Sequence, residues 1–293
     1  MNGWILLPVF LPMLLGACML GSLIVLRRKP QPDQAESGLR RLHLFVCGVL
    51  SASAVLALFA AWSGNHEVTL FYLMKDIPVY FHIDDISRLF VTVISIVWVA
   101  VGIYSCVYMR HEGNETRFFG FYLMIYGVLI ALSFAGNLVT MYLFYELMTL
   151  VSMPMVLHNG SHEANMAALK YLFYSMCGAY MGLFGIYFLY QYADTLTFTA
   201  GGTLDLARVA GHEGILLIAV FVMLIGFGAK AGMFPLHAWL PTAHPVAPSP
   251  ASAVLSGVIV KGGVLAIIRT VYYVVGPDFL RGTWVQTLWI VLA

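Results

Sequence analysis

The sequence predicts an all-α fold, a polytopic membrane helix bundle. Of its 293 residues, 61% are hydrophobic and only 10% are charged, and the mean hydropathy is +0.87. Soluble domains are about 25% charged, so this composition excludes a water-soluble globule. It also excludes a disordered chain, which requires low hydrophobicity. The formal net charge of +1 gives no field that would attract nucleic acid, so we expect the lipid bilayer, and no nucleic acid, as a partner.

Eight apolar stretches are long enough to cross a bilayer, for which a helix needs about 20 residues. They cover residues 3–26, 42–62, 86–109, 118–136, 138–158, 165–190, 214–234 and 251–275. A ninth begins at Trp284, but about ten helical residues cover only about 15 Å. We therefore expect eight complete transmembrane helices plus the start of a ninth. Such an unfinished span predicts a divided or truncated gene, or a last segment that docks on another chain.

The basic residues predict an orientation with the N-terminus outside. The loop after the first span contains Arg27, Arg28, Lys29, Arg40 and Arg41, and the positive-inside rule places such a loop in the cytoplasm. We expect a multi-pass protein of the cytoplasmic (inner) membrane of a prokaryote.

The loops assigned to the external side have their own features. Residues 63–85 are amphipathic, with β-branched and aromatic residues around Pro78, and predict a short external hairpin. Gly136-Asn137 predicts a tight turn between neighbouring spans. The basic residues counted on this side are Lys75, Arg88, Arg208, Arg269 and Arg281.

Four ionisable residues lie within the spans, namely Lys170, Lys230, Lys261 and Glu146. A charge at a helix centre costs roughly 2.5–3.5 kcal/mol, so such residues normally face the bundle interior and mark ion routes. The alternative for Glu146 and Lys230 is a purely structural ion pair, and Lys170 is near enough to the span end to reach the interface. We expect Glu146 and Lys230 to couple electrostatically, and Lys230 and Lys261 to face one cavity.

Residues 226–250, GFGAKAGMFPLHAWLPTAHPVAPSP, predict that the seventh helix is broken. Pro235 and Pro241 lack N–H donors and do not continue a regular helix. Non-helical backbone at membrane depth is tolerated only where protein buries it or water fills a cavity. His237 and His244 lie in this segment, where imidazole can relay protons near neutral pH. The alternative, a simple cytoplasmic loop with tight turns, explains the prolines but not Lys230 or His237.

The sequence predicts no metal site and no cofactor site. Its four cysteines lie in apolar stretches and lack the close CxxC pairing of a zinc or iron–sulfur site. The spans offer no facing histidine pair at mid-depth for a haem, and no phosphate-binding GxxxxGK[ST] motif is present.

Four stretches resemble the antiporter-like proton-channel subunits of respiratory complex I, of Mrp-type antiporters and of membrane-bound hydrogenases. They are FHIDDISRLF at 81–90, YELMTLVSMPM around Glu146, GAKAGMFPLHAWLPTAHPVAPSPASAVLSG around Lys230 and GVIVKGGVLAIIR around Lys261. The resemblance covers roughly residues 70–275. It implies a proton route in which Glu146 pairs with Lys230 and Lys261 passes the proton on. It also implies a role for His237 and, because only some members have a lysine there, a less general one for Lys170.

The resemblance also implies a domain organisation. Residues 1–117 would form an N-terminal three-helix region, residues 118–275 one complete five-helix repeat, and residues 276–293 the start of a second repeat. Members of that family typically have fourteen spans in which two such repeats are inverted relative to each other. The resemblance therefore implies partners, namely other membrane subunits of a larger complex, including a chain that completes the second repeat.

Three functions remain open from the sequence. The first is a proton- or sodium-translocating membrane subunit of a multi-subunit NADH dehydrogenase-like or hydrogenase-like complex, with no redox centre of its own. The second is a subunit of a Mrp-type cation/proton antiporter, driven by gradients rather than by electrons. The third is a structural remnant that conducts nothing, which requires the buried charges to be dispensable.

Overall fold

The computed structural model describes residues 3–25, 32–74 and 77–292. Four of the basic residues on which the predicted orientation rests lie outside the described residues, namely Arg27, Arg28, Lys29 and Lys75. Within the described ranges, eight helices are long and apolar enough to cross a membrane. This confirms the all-α, polytopic bundle, and the helix that begins at Trp284 follows the eighth of these spans.

The helices share a predominantly apolar composition. In chain order they are α1 (Leu7–Val25), α2 (Pro32–Trp62), α3 (Asp85–Glu112), α4 (Glu115–Phe134), α5 (Leu138–Val156), α6 (His162–Tyr192), α7 (Leu206–Val209), α8 (Glu213–Ala231), α9 (Leu240–Val246), α10 (Ser249–Val254), α11 (Val260–Arg269), α12 (Pro277–Leu280) and α13 (Trp284–Leu292). The eighth span, Ser249–Val275, is α10 and α11 joined and extended by two π-helical segments, Leu255–Ile259 and Thr270–Val275.

A hairpin connects α2 to α3, as residues 63–85 predict. Strands β1 (Glu67–Met74) and β2 (Ile77–His82) are antiparallel, with Glu67 opposite His82. The turn after α4 lies against this hairpin, because the Gly136 amide donates to the Tyr80 carbonyl at 3.1 Å. Asn137 then caps α5 by accepting from the Thr140 amide at 2.7 Å. The predicted tight turn at Gly136-Asn137 is confirmed.

Helix α4 lies at the centre of the bundle. Of the most apolar 18 residues of this helix, 83% are buried. The helix packs against α1, α3 and α5. Two reciprocal hydrogen bonds join it to α3, from Trp98 Nε1 to the Tyr122 carbonyl at 3.2 Å and from the Tyr122 hydroxyl to the Trp98 carbonyl at 2.7 Å. An all-round apolar helix is typical of such a central position.

Helices α6 and α8 pack closely through glycines. A Cβ atom on Gly178 would collide with the carbonyl oxygen of Gly226, and one on Gly226 would collide with the carbonyl of Gly178. Small residues at helix–helix contacts let backbones approach in membranes, where packing rather than the hydrophobic effect holds helices together. This contact brings the side chains of α6 up to Lys230, four residues after Gly226.

The seventh span is broken directly after Lys230, as predicted, but a glycine ends the helix. Helix α8 stops at Ala231, and Gly232 has a φ of 85°, with its amide donating to the Gly228 carbonyl. A left-handed glycine is a common helix terminator. Pro235 lies in the non-helical connection that follows. The prediction that Pro241 breaks the helix is wrong, since it lies in the first turn of α9, where a missing N–H has no cost.

Candidate ion-translocation site

Lys230 is held by three hydroxyl groups in the interior of the bundle. The side chain is 0% exposed and belongs to the last turn of α8. Its Nζ donates to Thr149 Oγ1 of α5 at 2.9 Å, and to Tyr171 OH and Ser175 Oγ of α6 at 2.5 and 3.4 Å. The ammonium group is therefore solvated by neutral oxygens from two neighbouring helices.

The ring of Tyr171 is packed against the segment that follows the break. Lys230 Nζ lies beside the hydroxyl group, 4.3 Å from the ring centroid. The ring itself packs against Trp239, with 4.8 Å between centroids. Trp239 Nε1 in turn donates to the Ala229 carbonyl at 2.9 Å. The segment after the break thus folds back on the end of α8 and fixes Tyr171.

Glu146 does not contact Lys230 directly. It is half-buried on α5, three residues before Thr149, and no ion pair within 4.0 Å joins it to Lys230 among the described residues. The hydrogen bonds of Lys230 are therefore made with hydroxyl groups and not with the carboxylate of Glu146.

Lys261 does not share a cavity with Lys230, contrary to the expectation from the sequence. Its side chain is exposed, and Nζ donates to the Ser256 carbonyl at 2.6 Å. Helix α11 faces α8 with Gly263, whose Cβ position would meet the Phe227 carbonyl at 2.7 Å. Residues two apart on a helix lie about 200° around its axis from each other. Lys261 is therefore turned away from α8.

The other predicted residues lie around the broken segment without joining Lys230. Lys170 is half-buried next to Tyr171 on α6. His237 is exposed and packs against the ring of Phe234 at 5.9 Å between centroids. His244, on α9, shares a hydrogen bond with Ser252 Oγ at 2.7 Å. The structure places these three side chains separately.

Arg269 is a further buried cation, and counting it among the loop residues is wrong. It is the last residue of α11 and is 2% exposed. It binds both carboxylate oxygens of Asp84, with NH2 to Oδ1 at 2.7 Å, and lies over the rings of Phe198 and Tyr273 at 4.7 and 4.8 Å. Burial raises the pKa of Asp84, but the hydrogen bonds and charge of Arg269 outweigh it, so this pKa lies below its ordinary value.

A second buried contact between ionisable side chains, His43 on α2 and Glu115 on α4, lies outside the predicted site. Both residues are 7% exposed, and their side chains are in direct contact. Nearby, His158 bonds the Gly113 carbonyl at 3.1 Å, and Arg117 donates to the His158 carbonyl. Burial lowers the pKa of His158. These contacts fix the connection between α3 and α4.

The hydroxyl groups around Lys230 were not predicted from the sequence. A signal was available, because Glu146, Thr149 and Ser152 recur every three residues in YELMTLVSM, and residues three apart lie on one face of a helix. Tyr171 has no such signal, since tyrosines are frequent along α6. Among the described residues, no group of three or more His, Cys, Asp or Glu side chains is arranged to hold a metal ion.

These features define a class, a multi-pass membrane protein with a buried ionisable site at a broken helix. Two family models match the chain, the NADH:quinone oxidoreductase/Mrp antiporter transmembrane family over residues 135–293 and the N-terminus of complex I chain 5 over residues 74–119. The first match covers more than half of the chain. The chain therefore belongs to the NADH:quinone oxidoreductase/Mrp antiporter transmembrane family.

Similar proteins come from three kinds of complex. Hydrogenase-4 component B of Escherichia coli (strain K12) is 35% identical over 71% of this chain and 30% of its own length. NAD(P)H-quinone oxidoreductase chain 5 of Picosynechococcus sp. is 30% identical over 90% and 41%, and a Na(+)/H(+) antiporter subunit of Alkalihalophilus pseudofirmus is 24% identical over 95% and 54%. The chain thus spans about half or less of the length of these relatives.

The fold is that of a chain in a solved membrane complex. The Mrp complex from Dietzia sp. DQ12-45-1b contains a chain that matches with a TM-score of 0.71 and 21% identity, over 98% of this chain and 52% of that one. At this identity the likeness concerns the fold alone. It confirms the predicted architecture of the antiporter-like membrane subunits.

Proposed function

We propose that this chain is a proton- or sodium-translocating membrane subunit of a larger NADH dehydrogenase-like or hydrogenase-like complex, and that Lys230 is its central ion-handling group. The observation that carries the proposal is the full burial of Lys230 at the end of a broken helix. An intramembrane charge costs roughly 2.5–3.5 kcal/mol and by default marks an ion route. The absence of a direct contact with Glu146 argues against a structural ion pair as the reason for that burial.

In this proposal Glu146 acts as an electrostatic control on Lys230. A nearby carboxylate favours the ammonium form, while burial favours the neutral amine. A change in the charge or distance of Glu146 therefore shifts Lys230 between holding and releasing its proton. Glu146 is half-buried, so a neighbouring subunit has access to it. The ion route would run within residues 118–275, the five-helix repeat implied by the sequence.

Lys261 would receive or pass on the proton at the exposed face of α11. Since it does not face Lys230 within the described residues, we propose that a neighbouring membrane subunit completes the route there, with His237, His244 and Lys170 in supporting positions. The Lys261→Arg variant tests this role, because arginine keeps the charge but does not give up its proton. Loss of transport supports a relay, whereas normal transport would mean that a fixed positive charge is sufficient.

The proposal is tested in proteoliposomes of the purified complex that contain a pH-sensitive dye. Lys230→Met and Glu146→Gln should each abolish proton movement while assembly, followed by native gel electrophoresis, is unchanged. Arg281→Met and Glu163→Gln remove an exposed charge of the same sign and should transport as the wild type does. Normal transport by the Lys230→Met complex would favour a subunit that conducts nothing.

A second function, a subunit of a gradient-driven cation/proton antiporter, is favoured by the similarity to the Na(+)/H(+) antiporter subunit of Alkalihalophilus pseudofirmus over 95% of the chain. The same vesicles separate the two. Proton movement that starts with electron transfer supports the first function, and proton movement that starts with a pulse of NaCl supports the second.

We also propose that the protein lies in the cytoplasmic membrane of a prokaryote with its N-terminus outside, on the basis of its basic first loop. A Ser37→Cys variant tests the orientation in intact cells. We expect a membrane-impermeant maleimide to label residue 37 only after the cells are opened, and labelling of intact cells would reverse the orientation.

A further inference from the structure

The three N–H groups of the Lys230 ammonium have three oxygen acceptors, and none of these is a carboxylate. Thr149, Tyr171 and Ser175 place hydroxyl oxygens 2.9, 2.5 and 3.4 Å from Nζ. The shortest of these contacts is with Tyr171. A hydroxyl group, unlike a carboxylate, both donates and accepts hydrogen bonds. The surroundings of Lys230 are therefore suited to a group that changes its protonation state.

The Tyr171 hydroxyl continues into a short chain of hydrogen bonds. It lies 2.6 Å from Ser152 Oγ, and Ser152 Oγ donates to the Thr149 carbonyl at 3.2 Å. With Lys230 charged, each donor in this chain points the same way, from the ammonium through Tyr171 and Ser152 to the carbonyl. Because a carbonyl only accepts, the chain ends there. It holds Lys230 rather than conducting protons away from it.

We propose that Tyr171 is a positioning residue that stabilises Lys230 in place in both of its protonation states. When Lys230 is charged, the Tyr171 hydroxyl accepts from Nζ and donates to Ser152. When Lys230 is neutral, rotation of the same O–H bond lets Tyr171 donate to the amine lone pair. The change needs no movement of the lysine stem and no partner carboxylate.

The surroundings of Tyr171 keep it fixed while its proton rotates. Its side chain is fully buried, and the ring of Trp239 packs against it with 4.8 Å between the ring centroids. Trp239 is itself held by its bond to the Ala229 carbonyl, one residue before Lys230. The segment after the helix break therefore positions the hydroxyl group that contacts Lys230.

Among the described residues, two titratable groups face Lys230, Tyr171 from α6 and Glu146 from α5. On α11, which also packs on α8, Lys261 is exposed and turned away and Arg269 is bound to Asp84. On α6, Lys170 is half-buried next to Tyr171. On α9, which packs on α6, His244 is bonded to Ser252. Helix α13, which also contacts α8, has no charged residue. A change in the proton affinity of Lys230 on removal of the Tyr171 hydroxyl is thus attributable to that hydroxyl.

The Tyr171→Phe variant isolates this hydroxyl because it keeps the ring that packs on Trp239. Hydrogen bonds to charged groups are stronger than those between neutral groups, so the ammonium loses more than the amine. We expect the pH at which half of Lys230 is neutral to fall by about half to one unit. Ser152→Ala should give a smaller change of the same sign. It removes the acceptor that the Tyr171 hydroxyl uses when Lys230 is charged, so the charged state loses stability.

A matched control is available on α5. Tyr145 is also fully buried and packs against Phe227 of α8 at 5.2 Å between centroids, but its hydroxyl oxygen has no hydrogen-bond partner among the described residues. Tyr145→Phe removes the same atom from the same region and should leave Lys230 unchanged.

The protonation of Lys230 is measured in the purified complex with methyl isothiocyanate, a small apolar reagent that reacts with neutral amines. Mass spectrometry of the peptide containing Lys230 gives the labelled fraction over a series of pH values. A lower midpoint in Tyr171→Phe than in Tyr145→Phe supports the proposal. Equal midpoints in the two variants overturn it.

The consequence for transport rests on the proposed function and is measured separately. In the vesicle assay, Tyr171→Phe should shift the pH profile of proton movement to lower pH by the same half to one unit, about the change expected from the lost bond. A lower rate with an unshifted profile would reduce Tyr171 to a packing role. If Lys230→Met transports normally, the proposed function fails, while the labelling midpoints still decide the role of Tyr171.

Discussion

Arg269, in the last described span, forms a bidentate ion pair with Asp84, the residue that caps α3, although 185 residues separate them in the sequence. Asp84 also accepts hydrogen bonds from the amide and the hydroxyl of Ser87, at 2.9 and 2.8 Å. The pair therefore joins the start of α3 to the end of α11 and closes one side of the bundle around α4.

We expect Arg269→Met to destabilise the protein by about 2–3 kcal/mol. Removal of one partner of a buried pair typically costs about 3–5 kcal/mol, and we expect a cost at or below the lower end of this range because the Asp84 side chain is 20% exposed. Thermal unfolding in detergent measures the effect. Arg281→Met, which removes the exposed pair with Asp278, should change stability by less than about 1 kcal/mol. Equal effects of the two variants would contradict the structural role of Arg269.

Gly178→Ala should weaken both packing and transport. The added methyl group meets the Gly226 carbonyl oxygen, which is backbone, and overpacking of this kind typically costs about 1–3 kcal/mol. The resulting shift between α6 and α8 moves Tyr171 and Ser175 away from Lys230. Gly48→Ala on α2, where a Cβ atom has open space, is the control. A Gly178→Ala protein with wild-type stability would show that the two backbones are not in close contact.

Cys47 and Cys106 should form a cross-link between α2 and α3 on mild oxidation. Their sulfur atoms lie 3.5 Å apart, whereas Cys18 and Cys177 are exposed on other helices. Copper-phenanthroline takes up the two electrons that the thiols lose, and two protons leave with them. After oxidation and denaturation, maleimide should label two of the four cysteines, and reduction should restore all four. Oxidised protein that still labels fully would contradict the packing of α2 on α3.

His158 should make the protein less stable as the pH falls. Burial lowers the pKa of His158 from 6.5, so the unfolded chain takes up a proton at a higher pH than the folded protein does. Stability is therefore complete above that value and decreases as the pH falls through it toward the folded pKa. His158→Gln keeps a donor for the Gly113 carbonyl and does not titrate. Its melting temperature should decrease less than that of the wild type between roughly pH 7.5 and 5.5.

Hydropathy and turn residues were sufficient to predict the spans, the hairpin and the break after Lys230, because a bilayer imposes one length and one composition on every helix that crosses it. Side-chain orientation was not predictable in the same way. Lys261 is exposed because Gly263 is the residue that faces α8. Arg269 is buried because Asp84, far away in the sequence, forms an ion pair with it. Such facts depend on which helices become neighbours, which the apolar pattern does not specify.

The position of Lys230 relative to the end of α8 has an electrostatic consequence. The aligned peptide dipoles of a helix amount to roughly half a negative charge at its C-terminus, and Lys230 lies in the last turn before Gly232 ends the helix. The break therefore places that partial charge beside the buried ammonium. Backbone dipoles do not take up protons, so this stabilisation persists at every pH and in every state of Glu146. A continuous helix would move the partial charge several turns away, so the site has a constant counter-charge built from the main chain and an adjustable one supplied by a side chain.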